Sequence, residues 1–548
     1  MYKFVITLLI LSSSVFAQTE GSEGEKKDKK SKSLFKDAGD LAKFGLAKQK
    51  MYAGQYLSAI NLYREIEHND PNNASVIHYI GYCNSKMNKF DKAKEYFLKA
   101  IATNNNVKPE THVELGKIYQ MEENFDKAIE EFTLFKNAPS KDEDSNEDAD
   151  VLLSQCQNAK KYMANPIDVV ITNMGQDING PYDDKNPCIS ADGSRMVFTS
   201  RRPKNTDSPV DAEGDGKYFE DIYYSDIDST HNFGKAVDMG SSINTKGHDA
   251  CTSISPDGKQ IFIYKNDAAD KRSIGGEVYV SKISNGKWRT PAPIGKPISS
   301  MNWEGGACVS PDGKKYFFFS ERKGGVGRSD IYMVVRKNKQ EWEKPVNLGA
   351  GVNTVFDEGA VFLAPDGKTL FFCSNGPSSM GSYDIFKTVY ENGKWSEPVN
   401  LGYPINTSGR EGQITLSADA KTAYISSDRK GGLGESDIYK IDLKDYAILE
   451  TDGKKVSNNG LSILKGTIRD GNEGYGIIDV DIEVQSSDGK QVASTSTNEA
   501  GEYFLTLKAG SYKLKVSKKG FQEVVEDIEL KLGEKEAFTL EKGYLLKK

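Results

Sequence analysis

RKGGVGRSDIYMV, residues 322–334, returns as RKGGLGESDIYKI, residues 429–441, and in looser form between them as NGPSSMGSYDIFKT from Asn375. A glycine-rich loop that cradles phosphate runs from a strand into a helix whose N-terminus faces the anion. Here the segment after the glycines, DIYMVV, is too short and too strictly alternating for a helix, and no GxxxxGK[ST] occurs. The stretch therefore reads as a connection between two strands, with glycine supplying positive φ. Its recurrence marks a repeating β unit.

The rest of that unit is legible around it. SADGSRMVF, SPDGKQIFI, SPDGKKYFF, APDGKTLFF and SADAKTAYI place Asp192, Asp257, Asp312, Asp366 and Asp419 at intervals of 65, 55, 54 and 53 residues. Asp-Gly between two alternating apolar runs is a strong hairpin signal. A third strand follows each hairpin (DIYYSDI, EVYVSKI, DIYMVV, DIFKTV, DIYKIDL), and a fourth carries Trp288, Trp342 and Trp395, with Phe233 in the first repeat. Four strands in about 54 residues predict a propeller blade. The fifth repeat lacks its fourth strand, and IDVVITNMGQDIN near the start of the region supplies a matching one, which removes the free edges. Five blades are expected over residues 166–445, with six as the fallback count.

Two acidic columns run through these repeats. Asp184, Asp249, Glu304, Glu358 and Glu411 each stand eight residues before the turn position. At the start of the innermost strands they would ring one mouth of the central channel. They read either as ties between neighbouring blades or as an electronegative mouth for a cation, a Lys-rich peptide or an amino terminus. Five crowded carboxylates without partners would repel, raising their pKa values or holding a cation. Asp221, Glu277, Asp330, Asp384 and Asp437 open the third strands, and Arg202, Arg322 and Arg429 end the preceding ones, so this column reads as structural pairing. The six cysteines (Cys83, Cys156, Cys188, Cys251, Cys308, Cys373) form no disulfide framework and no CxxC metal site. They read as buried thiols, with Cys251 and Cys308 the pair to test.

The remaining chain divides by composition. Residues 1–17 read as a secretory signal: Lys3, an apolar run of about 13 residues where a span needs ~20, and Val15-Phe16-Ala17 before Gln18. Residues 18–33 are a charged tether with nothing to bury. Over residues 34–164, Ala59, Ala93 and Ala128 recur with Tyr63, Phe97 and Phe132 four residues later, and Gly81 and Gly116 stand twelve residues before the last two alanines. This pattern resembles the tetratricopeptide repeat, which implies three helix pairs, a last helix near 147–163 and a groove for a partner. After a linker at 446–460, residues 461–548 alternate between Gly/Asp turns as a small antiparallel sandwich of about seven strands. Their T-x-x-x-G-x-[YF] and G-x-Y-x-L-x-V segments resemble the carboxypeptidase regulatory-like domain.

Catalytic signals are thin. The five histidines (His68, His78, His112, His231, His248) form no HExxH, and no GxSxG elbow occurs. DAEGDGK from Asp211 spaces Asp211, Glu213 and Asp215 like a calcium loop, but Ile222 stands where the closing Glu belongs, so it reads as a solvated acidic insertion. The expectation is a non-enzyme with no metal and no cofactor. A net charge of -7 gives no field for nucleic acid.

The blade motif resembles the TolB-type repeat of bacterial periplasmic proteins. The order of helical repeats, propeller and sandwich resembles a family of Bacteroidetes envelope proteins, the PorE-like proteins of the type IX secretion system. That resemblance implies a periplasmic, non-enzymatic scaffold, possible association with the outer membrane, and partners among outer-membrane or periplasmic secretion components. The family's OmpA-like domain has no counterpart before Lys548, so peptidoglycan anchoring is not carried over, and an OmpA-like peptidoglycan-bound protein becomes a candidate partner. No transmembrane span is expected in the mature chain. A TolB-like or glycan-binding role in envelope maintenance is the alternative.

Overall fold

A computed structural model describes residues 38–103, 107–138, 148–228, 232–266, 276–284, 286–338, 341–444, 446–449, 460–533 and 537–548. The expected signal peptide and tether, and most of the linker, lie outside the described residues, as does His231. The chain forms two compact units: residues up to 160 with 205–219, and residues 161–204 with 220–548.

The first unit is built from seven helices among the described residues: α1 (Ala38–Tyr52), α2 (Tyr56–Asn69), α3 (Ala74–Lys86), α4 (Phe90–Thr103), α5 (Glu110–Met121), α6 (Phe125–Lys136) and α7 (Ala149–Met163). Asn73 and Asn124 cap α3 and α6 by accepting the N–H of Val76 and Lys127. The small and aromatic positions do what their spacing predicts. Ala59, Ala93 and Ala128 are fully buried, as are Tyr63, Phe97 and Phe132. A Cβ on Gly81 would lie 2.7 Å from the Phe97 ring, and one on Gly116 would overlap Phe132. Each glycine is thus the socket for the aromatic of the next helix. Burying one such ring contributes roughly 1.5–3 kcal/mol. Residues 205–219, which replace the glycine-rich connection in the first β repeat, belong to this unit. Leu57 N–H donates to the Gly214 carbonyl at 3.0 Å, and Gln55 bonds Glu213. Most of the insertion is exposed, as its acidic composition predicts, and these two contacts anchor it to the helices through the buried Gly214 and the exposed Glu213. Asp211 and Asp215 are spent on the turn itself, accepting from Gly214 N–H and Lys217 N–H at 3.0 Å each.

The second unit is mostly β-sheet. Sheet one comprises Asp184–Ile189, Arg195–Ser200, Asp221–Asp226 and Val237–Asp238; sheet two His248–Ile254, Gln260–Asn266, Glu277–Ser284 and Ala292–Pro293. Sheet three comprises Glu304–Val309, Lys315–Ser320, Asp330–Val335 and Val346–Asn347; sheet four Glu358–Leu363, Thr369–Ser374, Asp384–Glu391 and Val399–Asn400. Sheet five takes Glu411–Leu416, Thr422–Ser427 and Asp437–Asp442 from the end of the region and Val170–Asn173 from its beginning, with Val170 opposite Asp442. The first strands of successive sheets touch in chain order, and that of sheet five touches that of sheet one. Trp288 and Trp395 sit on short hairpin returns opposite Ile283 and Tyr390, one step before the outermost strands where the sequence places them. All six cysteines are free and buried, and Cys251 faces the sulfur of Cys188 at 3.7 Å, where the sequence singles out Cys308.

The opening motif now has a physical account. Gly324 and Gly431 adopt φ of +90° and +86°, which only glycine accepts cheaply. A Cβ on Gly325 would collide with the Asp330 carboxylate, and one on Gly432 would press on Asp437. A Cβ on Gly327, Gly381 or Gly434 would strike a backbone carbonyl of the next sheet. Asp330 accepts from Val326 N–H at 2.5 Å and Gly327 N–H at 2.9 Å, and Asp437 repeats this with Leu433 at 2.5 Å and Gly434 at 3.1 Å. The loop folds around a buried carboxylate.

Residues 461–548 form two packed sheets. One pairs Leu461–Asp470 with Glu502–Lys508, Thr539–Glu541 and Tyr544–Leu546; the other runs Gln491–Ser496, Asp481–Gln485, Gly510–Ser517, Val524–Leu530. Leu464, Ile468, Ile482, Val484, Leu514 and Val516 fill the space between. The last two strands run parallel to Leu461–Asp470, so the sandwich is not purely antiparallel and strand structure reaches Leu546.

Gly325→Ala is expected to lower stability by about 1–3 kcal/mol in urea unfolding. Gly351→Ala, where an added Cβ meets nothing within 4 Å, should leave the midpoint unchanged. Equal midpoints for the two variants would contradict the carboxylate-centred loop.

Candidate functional site

The first acidic column does not form an open ring of free carboxylates. All five side chains are buried, and each turns back on the loop entering its own strand. Asp249 accepts from Thr245 N–H and hydroxyl (2.5 and 2.7 Å), Glu304 from Ser300 (3.0 and 2.5 Å), Glu358 from Thr354 (2.9 and 2.6 Å) and Glu411 from Thr407 (2.9 and 2.9 Å). Asp184 accepts from Gly180 N–H at 2.6 Å. The arginines pair with this column and not with the second: Arg202 with Asp184 (2.7 Å), Arg322 with Glu304 (3.2 Å) and Arg429 with Glu411 (3.5 Å). Lys265 serves Asp249 at 2.9 Å. The reason is geometric, since each cation leaves the second strand beside the start of the first.

The second column gathers backbone and amide donors. Asp330 and Asp437 hold the glycine-rich loops described above, and Asp384 accepts from Met380 N–H (2.8 Å) and Asn400 (2.6 Å). Asp221 departs from the pattern and meets Lys204 at 3.0 Å. Glu277 is half-buried at the start of its strand.

Sheet four is the exception in charge. Asn375-Gly376 stands where sheets three and five carry an arginine. Burial pushes Asp184, Glu358 and Glu411 above the usual carboxylate range; Arg202 and Arg429 pull the first and last back, while Glu358 has only hydroxyl and amide donors opposing it. Burial, then the Glu411 charge, drives Asp384 well above that range.

A column of asparagines pins the loop leaving a sheet to that sheet's own third strand. The side-chain amide of Asn244 accepts from Ile222 N–H and donates to Ile222 C=O (2.8 and 2.9 Å). Asn353 does the same to Ile331, Asn406 to Ile385 and Asn179 to Ile438. Its signal was present as GSSIN, GAGVN, GYPIN and GQDIN.

The two ends of the first strands differ in availability. At the turn end, each of the five turns meets the sandwich. Lys259 pairs with Glu502 (2.5 Å), Lys465 with Asp192 (3.7 Å), Lys314 donates to Ser494 (2.8 Å), Thr506 to the Pro365 carbonyl (2.5 Å) and Lys421 to the Gly533 carbonyl (2.9 Å). Ala191 and Ala418 pack with Ile463, Ala537 and Phe504 between them. At the other end, the residues just before each acid form a polar belt. Asp183 and Glu220 hold the buried Lys185 at 2.6 and 2.7 Å, and His248 Nδ1 lies 3.1 Å from Glu220. Further round, Asp357 accepts from Arg328 at 2.5 Å and from Tyr383 at 3.4 Å. Burial, then Asp357, lifts the Glu321 carboxyl to about 7, and burial lifts Asp428 to about 6. Nothing in the repeat pattern marks these positions, because their chemistry changes from sheet to sheet.

The helical unit offers a second surface. Lys48 Nζ lies 5.5 Å from the centroids of both Tyr52 and Tyr79, Lys108 Nζ 5.1 Å from Tyr79 and Lys86 Nζ 4.7 Å from Tyr82. Against its burial, Lys117 and Lys86 hold the Glu114 carboxyl below its usual value. Among the described residues no His, Cys, Asp and Glu group is arranged to hold a metal, and no helix is long and apolar enough to cross a membrane.

Residues 74–106 match the tetratricopeptide repeat and residues 463–541 the carboxypeptidase regulatory-like domain. No curated protein matches the chain. Among solved structures, the tetratricopeptide-repeat domain of P58(IPK) is 18% identical, covering 23% of this chain and 35% of that one at a TM-score of 0.22. Klebsiella pneumoniae 5-hydroxyisourate hydrolase is 23% identical over 16% of this chain and 90% of its own, TM-score 0.13. A glycoside hydrolase is 9% identical over 55% of this chain and 97% of its own, TM-score 0.34.

Glu321 gives a pH signature. Because its folded value lies above its ordinary 4.5, its contribution to stability is complete below about pH 4.5 and is lost as pH rises through about 7. Thermal melts from pH 4.5 to 7.5 should therefore fall more steeply for the wild-type chain than for Glu321→Gln. Parallel curves would show that this carboxyl is not held protonated by its surroundings.

Proposed function

We propose that this protein is a non-enzymatic scaffold of the bacterial periplasm that joins partners of the type IX secretion or gliding machinery. The observation that carries the reading is the tetratricopeptide-repeat unit, a fold that serves protein–protein interaction, with its lysines set over Tyr52, Tyr79 and Tyr82. The five sheets are, in this reading, five blades of a TolB-like propeller. Support comes from the cyclic contacts of their first strands and from Val170–Asn173 completing sheet five. Export rests on the signal-like first 17 residues. The partners in this reading are outer-membrane or periplasmic secretion components, with an OmpA-like peptidoglycan-bound protein as a candidate anchor.

A TolB-like or glycan-binding role is the second reading, and the polar belt at the free end of the first strands favours it. The exposed Arg328 and the half-buried Asp357 set opposite charges there, beside the buried and mutually paired Asp183, Lys185 and Glu220.

Deleting the gene in its source organism separates the two. Loss of type IX secretion and gliding is expected; a leaky envelope with normal secretion would overturn the first reading. In the complemented strain, Tyr82→Ala, folded to the wild-type melting temperature, should weaken partner crosslinks to the helical unit about tenfold, the scale of one interface anchor. Undiminished crosslinks would move the contact off this surface.

A further inference from the structure

Cys188 and Cys251 lie on the first strands of sheets one and two, 63 residues apart in the chain, with their sulfurs 3.7 Å from each other. Both are fully buried. Three contacts fix them in place. Cys188 Sγ donates to the Asn186 carbonyl at 3.3 Å, Gln413 Nε2 donates to Cys188 Sγ at 3.3 Å, and Cys251 N–H donates to the Thr199 hydroxyl at 2.9 Å. The same Gln413 amide reaches Thr252 C=O at 2.9 Å, so the backbone around Cys251 is held from two sides. A disulfide needs the two sulfurs, now 3.7 Å apart, to close to about 2 Å. Each sheet's strand register is fixed independently by its own hairpin.

We propose that Cys188 and Cys251 are a disulfide site, oxidised as the chain folds in the presence of a disulfide oxidant, that locks sheet one to sheet two. The thiolate of one cysteine attacks the oxidant's disulfide, giving a mixed disulfide and one released thiol. The second cysteine displaces the remaining oxidant sulfur. The Cys188–Cys251 bond forms, the oxidant's sulfur–sulfur bond breaks, and two electrons and two protons leave with two oxidant thiols. Complete burial places the reaction before sheets one and two close, and afterwards shields the bond from reductants. Cys83, Cys156, Cys308 and Cys373 stay reduced. The assignment stands on thiol geometry and not on the scaffold reading, so either can fail alone.

The test uses the full chain refolded in a glutathione redox buffer, then unfolded in an alkylating denaturant and digested. Four alkylated cysteines and one linked peptide pair carrying residues 188 and 251 are expected. Six alkylated cysteines, or a link from Cys251 to Cys308, would overturn the assignment. The oxidised wild-type chain should melt roughly 5–10 °C above the same chain reduced. Cys251→Ser should show no dependence on reductant; should that variant not fold, the wild-type peptide map decides alone.

Discussion

Buried carboxylates hold the β region together by organising backbone. Each repeat buries the acid of its first strand, sheets three to five bury that of the third strand as well, and in the sheets that keep the full motif neither is left to repel its neighbours. One gathers the N–H and hydroxyl of a residue four positions earlier, the other the N–H groups of the glycine-rich loop. An ionised carboxylate in such a place would cost several kcal/mol without these donors. With them, the acid becomes a template on which an irregular loop has one conformation. Asn179, Asn244, Asn353 and Asn406 then clasp both backbone groups of an isoleucine, so the loop leaving one sheet is pinned to that sheet's third strand. Where Ser299 takes the asparagine's place the side chain is too short to span both groups, and it accepts from Gly295 N–H instead.

The repeats are therefore not equivalent, and the differences concentrate charge. Sheets one, three and five carry an arginine against the first acid and sheet two a lysine, while sheet four has Asn375-Gly376. Glu358 and Asp384 keep their hydrogen bonds but face no cation in that column. Glu321 and Asp428 sit beside further acids at the same end of the strands. Burial also lifts Asp221 on sheet one to about 6, so carboxyl groups raised toward neutrality occur at sheets one, three and five, while the Asp183–Lys185–Glu220 set is fully paired.

Much of this was legible because it repeats. Five turns at near-constant spacing revealed the sheets, and the Ala/Gly/aromatic register revealed the helix pairs, since Gly81 and Gly116 can only be sockets for Phe97 and Phe132. Spacing also exposed both acidic columns, but not who answers them. Arg322 lies eight residues before Asp330 and eighteen after Glu304, and sequence proximity pointed to the wrong partner; a hairpin brings the distant one alongside. The polar belt was invisible for the opposite reason. Asp183, His248, Trp303, Asp357 and Arg410 occupy one structural position with four different kinds of side chain, so no column forms.

The turns were read as hairpin punctuation, and they also serve as a docking surface. A Ser-x-Asp-Gly-Lys turn uses its Asp to accept the N–H two residues on and its Gly to reverse the chain, which leaves the lysine free to project. Lys259, Lys314 and Lys421 project onto the sandwich, together with the Pro365 carbonyl and Asp192. The same short motif that closes each hairpin thus commits one end of every sheet to an internal partner. The opposite end has no such uniform motif, and its residues vary in sign and shape. The buried acids fix these positions while the neighbouring side chains change from repeat to repeat, from the buried Asp183 and Trp303 to the half-buried His248, Asp357 and Arg410. The regular acids thus hold backbone, and the chemical variety between repeats is confined to the positions beside them.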